Sequence, residues 1–513
     1  MAETPDVVDT VTQGYAFEGP AIELGALLVD GTPNPVAAVR IPLSMVNRHG
    51  LVAGATGTGK TKTLQLMAEQ LSAAGVAVFA ADIKGDLSGM SQPGAESEKL
   101  LARTKTIGQE WTASGFPTEF YALGGQGTGI PVRATITSFG PVLLSKVLGL
   151  NDVQESSLGL IFHYADQQGL TLLDLKDLRA VIQYLAGDEG KNDLKQLGGL
   201  SRATAGVILR ALVGFADQGA EAFFGEPEFD TADLMQQRDG KGVISLLELP
   251  NLQDRPALFS TFLMWMLADL FHDLPELGDV DKPKLVFFFD EAHLLFDDAS
   301  KAFLDSIGQT VRLIRSKGVG VFFVTQTPKD VPDDVLAQLG SRVQHQLRAH
   351  TPNDAKALKA TVSTFPNSSY DLAEVLTELG IGEAIVTVMN ETGAPTPVAW
   401  TRLRAPQSLM APASAEQLTA SVQSSPSNAK YSQVLDRESA YEKLAAKVQA
   451  GAGQAEAEAE AQPRTEPKAA PEASERHEKS MVEQVVGSSA FKQFARSAGR
   501  EIVRGLFGAA RRR

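Results

Sequence analysis

The sequence predicts an α/β protein with a mainly parallel sheet flanked by helices, and three observations predict it. Predominantly apolar runs recur at 50–54, 76–81, 243–249, 285–289 and 319–325, with helical stretches between them. A strand that reads as continuously apolar is covered on both faces, and crossover helices are what cover a parallel sheet. A glycine-rich turn separates the first of these runs from the helical stretch TLQLMAEQLSAAG, as expected of a strand–turn–helix unit.

The elements follow in order. Residues 1–48 hold short apolar runs broken by Gly-Pro, Gly-Thr-Pro and Asn-Pro, which predicts a small N-terminal β module of strands and turns. Residues 49–404 are expected to form the α/β domain. Within it, about 140–235 shows Leu/Ala periodicity without good strands (VLLSKVLGL, LKDLRAVIQYL), the pattern of a helical insertion. The apolar run 258–268 ends at Asp269, well short of the ~20 residues that span a bilayer, and is read as a core helix. A partly helical extension is expected over 405–448, with a short amphipathic helix at about 437–448. The composition of 449–475 (QAGAGQAEAEAEAQPRTEPKAAPEASE) can fill no core and predicts a disordered linker. Residues 476–513 carry nine Lys/Arg against three Glu, a local +6 that leaves −21 on the rest. Lys492, Arg496, Arg500 and Arg504 recur every four residues beside Phe491, Phe494, Ile502 and Leu506, as on a basic amphipathic C-terminal helix.

Composition narrows the function. At 513 residues with a net charge of −15, the chain is not one that coats nucleic acid with its whole surface, although a local basic channel is compatible with that total. With no cysteine, disulfides, thiolate zinc sites and cysteine nucleophiles are excluded, so any metal is held by oxygen or histidine. The start, MAETPDVVDT, has neither the basic flank nor the apolar stretch of a secretory signal, so a cytoplasmic location is expected.

Three motifs carry the chemistry. Gly54-Ala55-Thr56-Gly57-Thr58-Gly59-Lys60-Thr61 is a complete phosphate-binding loop between a strand and a helix. Its backbone N–H groups and the helix N-terminus would face the phosphates of ATP. Lys60 would neutralise the β- and γ-phosphates, Thr61 would complete the shell of a Mg²⁺ ion, and Thr63 is taken with the loop as a nucleotide contact. The buried strand KLVFFF ends in Asp290-Glu291, where Asp290 is the second Mg²⁺ candidate and Glu291 the base that polarises an attacking water. Gln326 closes the strand 319–325 and would reach the γ-phosphate and that water. Arg312 and Arg315 precede the strand and could meet transition-state charge. DEAH at 290–293 does not lead to the helicases named for it, because the next strand ends in Val-Thr-Gln and not in Ser-Ala-Thr. His293 is read as a local hydrogen-bonding residue.

Taken together, GATGTGKT, FFFDEAHLLF and IRSKGVGVFFVTQTP resemble the HerA/FtsK class of P-loop ATPases. More closely, the chain is similar to the bacterial HerA helicase C-terminal-like (YjgR-type) family over about residues 16–404. The resemblance implies a RecA-like ATPase core, assembled as a homohexameric ring with ATP sites between subunits. In that frame Arg315 matches the arginine before the glutamine strand and Gln326 the strand-end glutamine. Arg48 resembles an arginine offered to the neighbouring subunit's nucleotide, with Arg40 and Arg312 as competitors for that role. The turn Asp82-Ile83-Lys84-Gly85-Asp86 resembles the family's acidic–basic turn and is expected to be an interface or substrate-channel contact, or a solvated turn. The resulting expectation is a ring-forming, Mg²⁺-dependent ATP hydrolase that translocates along or remodels DNA. The alternative is an ATPase acting on a protein or membrane-associated assembly through its basic C-terminal helix.

Overall fold

The computed structural model describes residues 7–196, 199–249, 256–278, 280–296 and 301–461. Its strands are β1 (Ala21–Val29), β2 (Thr32–Pro42), β3 (Gly50–Ala53), β4 (Ala77–Asp82), β5 (Thr118–Leu123), β6 (Ile130–Val132), β7 (Gln237–Arg238), β8 (Lys241–Gly242), β9 (Ile244–Glu248), β10 (Leu285–Phe289), β11 (Val319–Thr325), β12 (Ser341–Gln344), β13 (Glu383–Thr387) and β14 (Ala399–Leu403). All but the β7–β8 hairpin belong to one sheet of order β2-β1-β14-β13-β12-β3-β11-β10-β4-β9-β5-β6. From β12 to β6 every pairing is parallel, and from β12 outward to β2 every pairing is antiparallel. The fold is therefore the α/β class that the apolar runs predict, and all five of those runs are central parallel strands.

The pleat explains why these strands are apolar throughout. Successive side chains point to opposite faces. Phe287 and Phe289 of β10 join one buried cluster with Phe79 and Phe323, whereas Val286 and Phe288 join another with Val78 and Phe322. Ring pairs lock neighbouring strands on both faces, with Phe79–Phe287 centroids 5.2 Å apart and Phe288–Phe322 5.4 Å apart. One face is covered in part by the helix Pro256–Asp273, whose Phe262 and Trp265 are fully buried. This is the core helix expected at 258–268. No helix among the described residues is long and apolar enough to cross a membrane.

The N-terminal segment departs from its reading as strands and turns alone. It opens with a helix, Val7–Gly14, whose Val11 is fully buried. Its strands then form the antiparallel edge of the main sheet, with Gly25 opposite Leu403. A Cβ at Gly25 would lie 2.1 Å from the Arg402 carbonyl oxygen, so the close approach of β1 to β14 requires glycine there.

Between 140 and 235 the chain forms helices at Pro141–Val147, Asp152–Gln167, Leu175–Ala186, Lys191–Gln196 and Arg202–Asp217. The segment after β14 then runs back across the molecule. Glu69, on the helix that follows the glycine-rich turn, accepts from Gln407 N and Ser408 N at 2.7 and 3.1 Å. Ser88 Oγ accepts from Ala413 N at 3.1 Å. Farther along, Tyr431 donates to Asp233 at 2.6 Å and Asp177 accepts from Tyr441 N at 2.9 Å. The next helix spans Ala440–Ala461 and so continues into the stretch read as a linker. Its Ala/Glu repeat lacks core-forming residues but has high helix propensity, which a reading based on burial alone overlooks. Residues 462–513, including the expected basic helix, lie outside the described residues.

Candidate nucleotide site

In a parallel sheet the carboxyl ends of all strands lie along one edge. The loop 54–59 leaves β3 there, Asp290-Glu291 leaves β10, Gln326 leaves β11, and Asp82 ends β4. The strand carrying Gln326 lies between the loop strand and the acidic strand. Three glycines shape the loop, with φ of 156° at Gly54, 84° at Gly57 and 114° at Gly59, conformations that side chains rarely allow. Gly54 is also crowded, since a Cβ there would sit 2.4 Å from His345 Cβ.

The loop is tied down from several sides. Gly54 N donates to Thr325 O at 3.2 Å and Ala55 N to Gln346 O at 2.8 Å. Thr56 O accepts from Arg348 at 3.2 Å, and Thr58 O accepts from Gly382 N at 3.1 Å. Thr58 Oγ1 donates to Ala55 O at 2.8 Å, so its hydroxyl supports the loop from inside. Lys60 and Thr61 open the helix Lys60–Ala73, capped by Gly59. Lys60 is only 8% exposed and its ammonium donates to Ala55 O at 3.3 Å. Burial lowers its pKa, and the charges of Glu291 and Asp290 oppose that shift, which places the lysine in the field of both carboxylates.

Asp290 is 2% exposed. One of its oxygens accepts from Glu291 N at 2.9 Å, and the other is buried with no hydrogen-bond partner among the described residues. Burial first, and the neighbouring Glu291 second, push its pKa up to about 7. An acid held this far from water calls for a cation. The donor set fits Mg²⁺, which is bound by one or two carboxylates together with substrate phosphates and water. Among the described residues no group of three His/Cys/Asp/Glu could cage a metal alone, so Asp290 and the Thr61 hydroxyl would share such an ion with phosphate oxygens.

Glu291 is 6% exposed and adopts φ 47°. One carboxylate oxygen pairs with Lys84 Nζ, and the other has no hydrogen-bond partner among the described residues. His293 Nδ1, read from the sequence as a local hydrogen-bonding group, lies 3.3 Å from that second oxygen without bonding geometry. Lys84 belongs to the turn expected at an interface or channel, and the structure points its ammonium at Glu291.

The remaining residues divide. Gln326 is exposed, directly after β11 at the same sheet edge. Thr63 departs from its expected role, because its hydroxyl is buried and lies 2.9 Å from His345 Nε2 and 3.3 Å from Gly59 O. It supports the loop from behind and does not line a phosphate site. Arg48 precedes β3 and Arg315 precedes β11, so both lie at the amino ends of strands whose carboxyl ends carry the site. Crossing seven residues of β11 takes about 20 Å, which separates Arg315 from Gln326. Buried His49 registers both arginines, its pKa pushed down to about 4 by burial first and by Arg315 and Arg48 in addition. Sequence reasoning did not find His345, which is fully buried behind the loop. Its only sequence signal is a polar triplet, Gln344-His345-Gln346, closing a strand.

A phosphate-binding loop on β3, an acidic pair on β10 and one strand between them define the class of RecA-like P-loop nucleotide-binding proteins. The chain belongs to the Helicase HerA-like C-terminal family, whose match spans residues 28–513. It is similar to the DNA double-strand break repair helicase HerA of Sulfolobus acidocaldarius, 22% identical over 361 residues, covering 70% of this chain and 66% of that protein. A probable helicase of Methanocaldococcus jannaschii is 33% identical over 153 residues, covering 28% of each chain. The chain thus spans less than two thirds of the length of the curated relatives it matches. Among solved structures, the plasmid coupling protein TrwB in complex with a non-hydrolysable ATP analogue shares the fold at TM-score 0.50 and 16% identity, over 78% of this chain and 93% of that one.

Proposed function

We propose that the protein is an ATP hydrolase that works as a ring-shaped, cytoplasmic motor on DNA. The observation that carries the catalytic half is the placement of Lys60, Asp290 and Glu291 in one buried electrostatic cluster at the carboxyl edge of the sheet. In this reading the loop N–H groups and Lys60 hold the triphosphate, and Glu291 takes a proton from water as it attacks the γ-phosphorus. Gln326 orients that water. Mg²⁺ held at Thr61 and Asp290 would withdraw charge from the phosphates. Arg48 and Arg315 lie at the amino ends of strands whose carboxyl ends carry the site of their own subunit, which supports their action on a neighbour's nucleotide and hence a closed homo-oligomer, a hexamer by family resemblance. The DNA half rests on family membership and on the printed descriptions of the relatives as helicases.

The test is ATP turnover with and without single- and double-stranded DNA at two salt concentrations. The account expects stimulation that falls steeply as salt rises, because backbone contacts release counterions. If DNA neither stimulates turnover nor binds at low salt, the DNA reading is wrong and the ATPase reading stands alone.

A further inference from the structure

The two oxygens of the Glu291 carboxylate have different surroundings. Oε1 is paired with Lys84, while Oε2 is buried and has no hydrogen-bond partner among the described residues. Lys84 itself is not loosely held. The turn that carries it is closed by Asp82, whose carboxylate accepts from Gly85 N at 2.7 Å, Asp86 N at 3.2 Å and Leu87 N at 2.8 Å. Gly85 supplies the φ of 74° that the turn needs. The Lys84 side chain is 46% exposed, yet its charged end reaches a buried acid. A solvated lysine would leave its ammonium in water. Burial lowers the Lys84 pKa, and the bond to Glu291 with the charges of Glu291, Asp290 and Asp86 more than offsets it, so the ammonium stays charged.

We infer that Lys84 is a positioning residue for hydrolysis: it occupies Oε1 of Glu291 and fixes the carboxylate so that Oε2 receives the proton of the attacking water. In that step one O–H bond of water breaks and its proton passes to Oε2. The water oxygen bonds to the γ-phosphorus, and the β–γ bridging oxygen departs with its electron pair on ADP. Without Lys84 the acid can rotate, and its alignment with the water is lost while nucleotide binding is untouched. The inference rests on the hydrolysis reading above and deepens it by assigning the turn 82–86 to the catalytic geometry.

The experiment measures steady-state and single-turnover ATP hydrolysis for Lys84→Ala and Lys84→Arg, each alone and combined with Glu291→Gln. Lys84→Ala is expected to lower kcat about tenfold with KM and ATP affinity changed less than about twofold. Lys84→Arg is expected to restore most of the rate. In the Glu291→Gln background Lys84→Ala should add nothing, because both act through one carboxylate. A wild-type kcat for Lys84→Ala, a loss confined to KM, or an equal fractional loss in both backgrounds overturns the inference. Full activity of Glu291→Gln alone overturns the hydrolysis reading itself, so the two failures are told apart.

Discussion

The two ends of the same parallel strands are built on opposite principles. At the carboxyl ends, Lys60, Asp290 and Glu291 are buried and held by the backbone of the loop, by each other and by Lys84. At the amino ends, Arg312 and Arg315 are exposed. Burial preorganises charge but is costly unless a partner arrives. Exposure costs little and leaves a charge available to something outside the subunit. Under the proposed function, this difference would let one subunit supply the binding and proton-transfer half of the site and present the charge-stabilising half outward.

The largest effect that can break this division is on turnover in mixed assemblies. Arg315→Ala and Arg48→Ala are each expected to bind ATP normally, and whichever arginine acts in trans should lose roughly a thousandfold in hydrolysis when removed. Lys60→Ala, which removes a charge-assisted bond to phosphate, should weaken nucleotide binding by roughly 10- to 100-fold and be inactive alone. Mixing the inactive arginine variant with Lys60→Ala subunits should restore measurable turnover, because each contributes the half that the other lacks. No recovery, or full activity of both arginine variants, would mean that the amino-end arginines do not complete the site.

A smaller effect sharpens the account of the buried end. Glu248, opposite Asp82 across β4 and β9, is buried with an unpartnered oxygen. Burial first, then Asp82 and Asp86, push its pKa up to about 8. A carboxyl raised in the folded state holds its proton there, so its contribution to stability is complete below the ordinary carboxylate range. That contribution is lost as pH rises through about 8. Thermal unfolding of Glu248→Gln should therefore match wild type near about pH 5 and exceed it by about 1–2 °C near about pH 9. An equal gap at both pH values would contradict this.

Legibility followed burial. The central strands β3, β4, β9, β10 and β11 could be read because covering both faces leaves little room for polar residues, as in the run Leu285–Phe289. Strands β5, β12, β13 and β14 were missed because Glu119, Arg342, Glu383 and Arg402 interrupt them. Each of those charges finds a specific partner, such as Arg238 for Glu119 and Arg402 for Glu383, and a one-dimensional pattern cannot show such pairings. The same limit applies at the site. The loop and the acidic pair are contiguous and readable, whereas Lys84 meets Glu291 across 207 positions of sequence and Thr63 meets His345 across 282. The charges of the Lys84 turn are visible in the sequence, but nothing in the sequence indicates which acid it faces.

The most direct test of the central claim is ATP binding and single-turnover hydrolysis by Glu291→Gln. The account predicts wild-type affinity for ATP with hydrolysis slowed at least about 100-fold, the range a general base contributes. Hydrolysis at the wild-type rate would show that water is activated elsewhere and would contradict the site built from the loop at 54–61 and the acidic pair at 290–291.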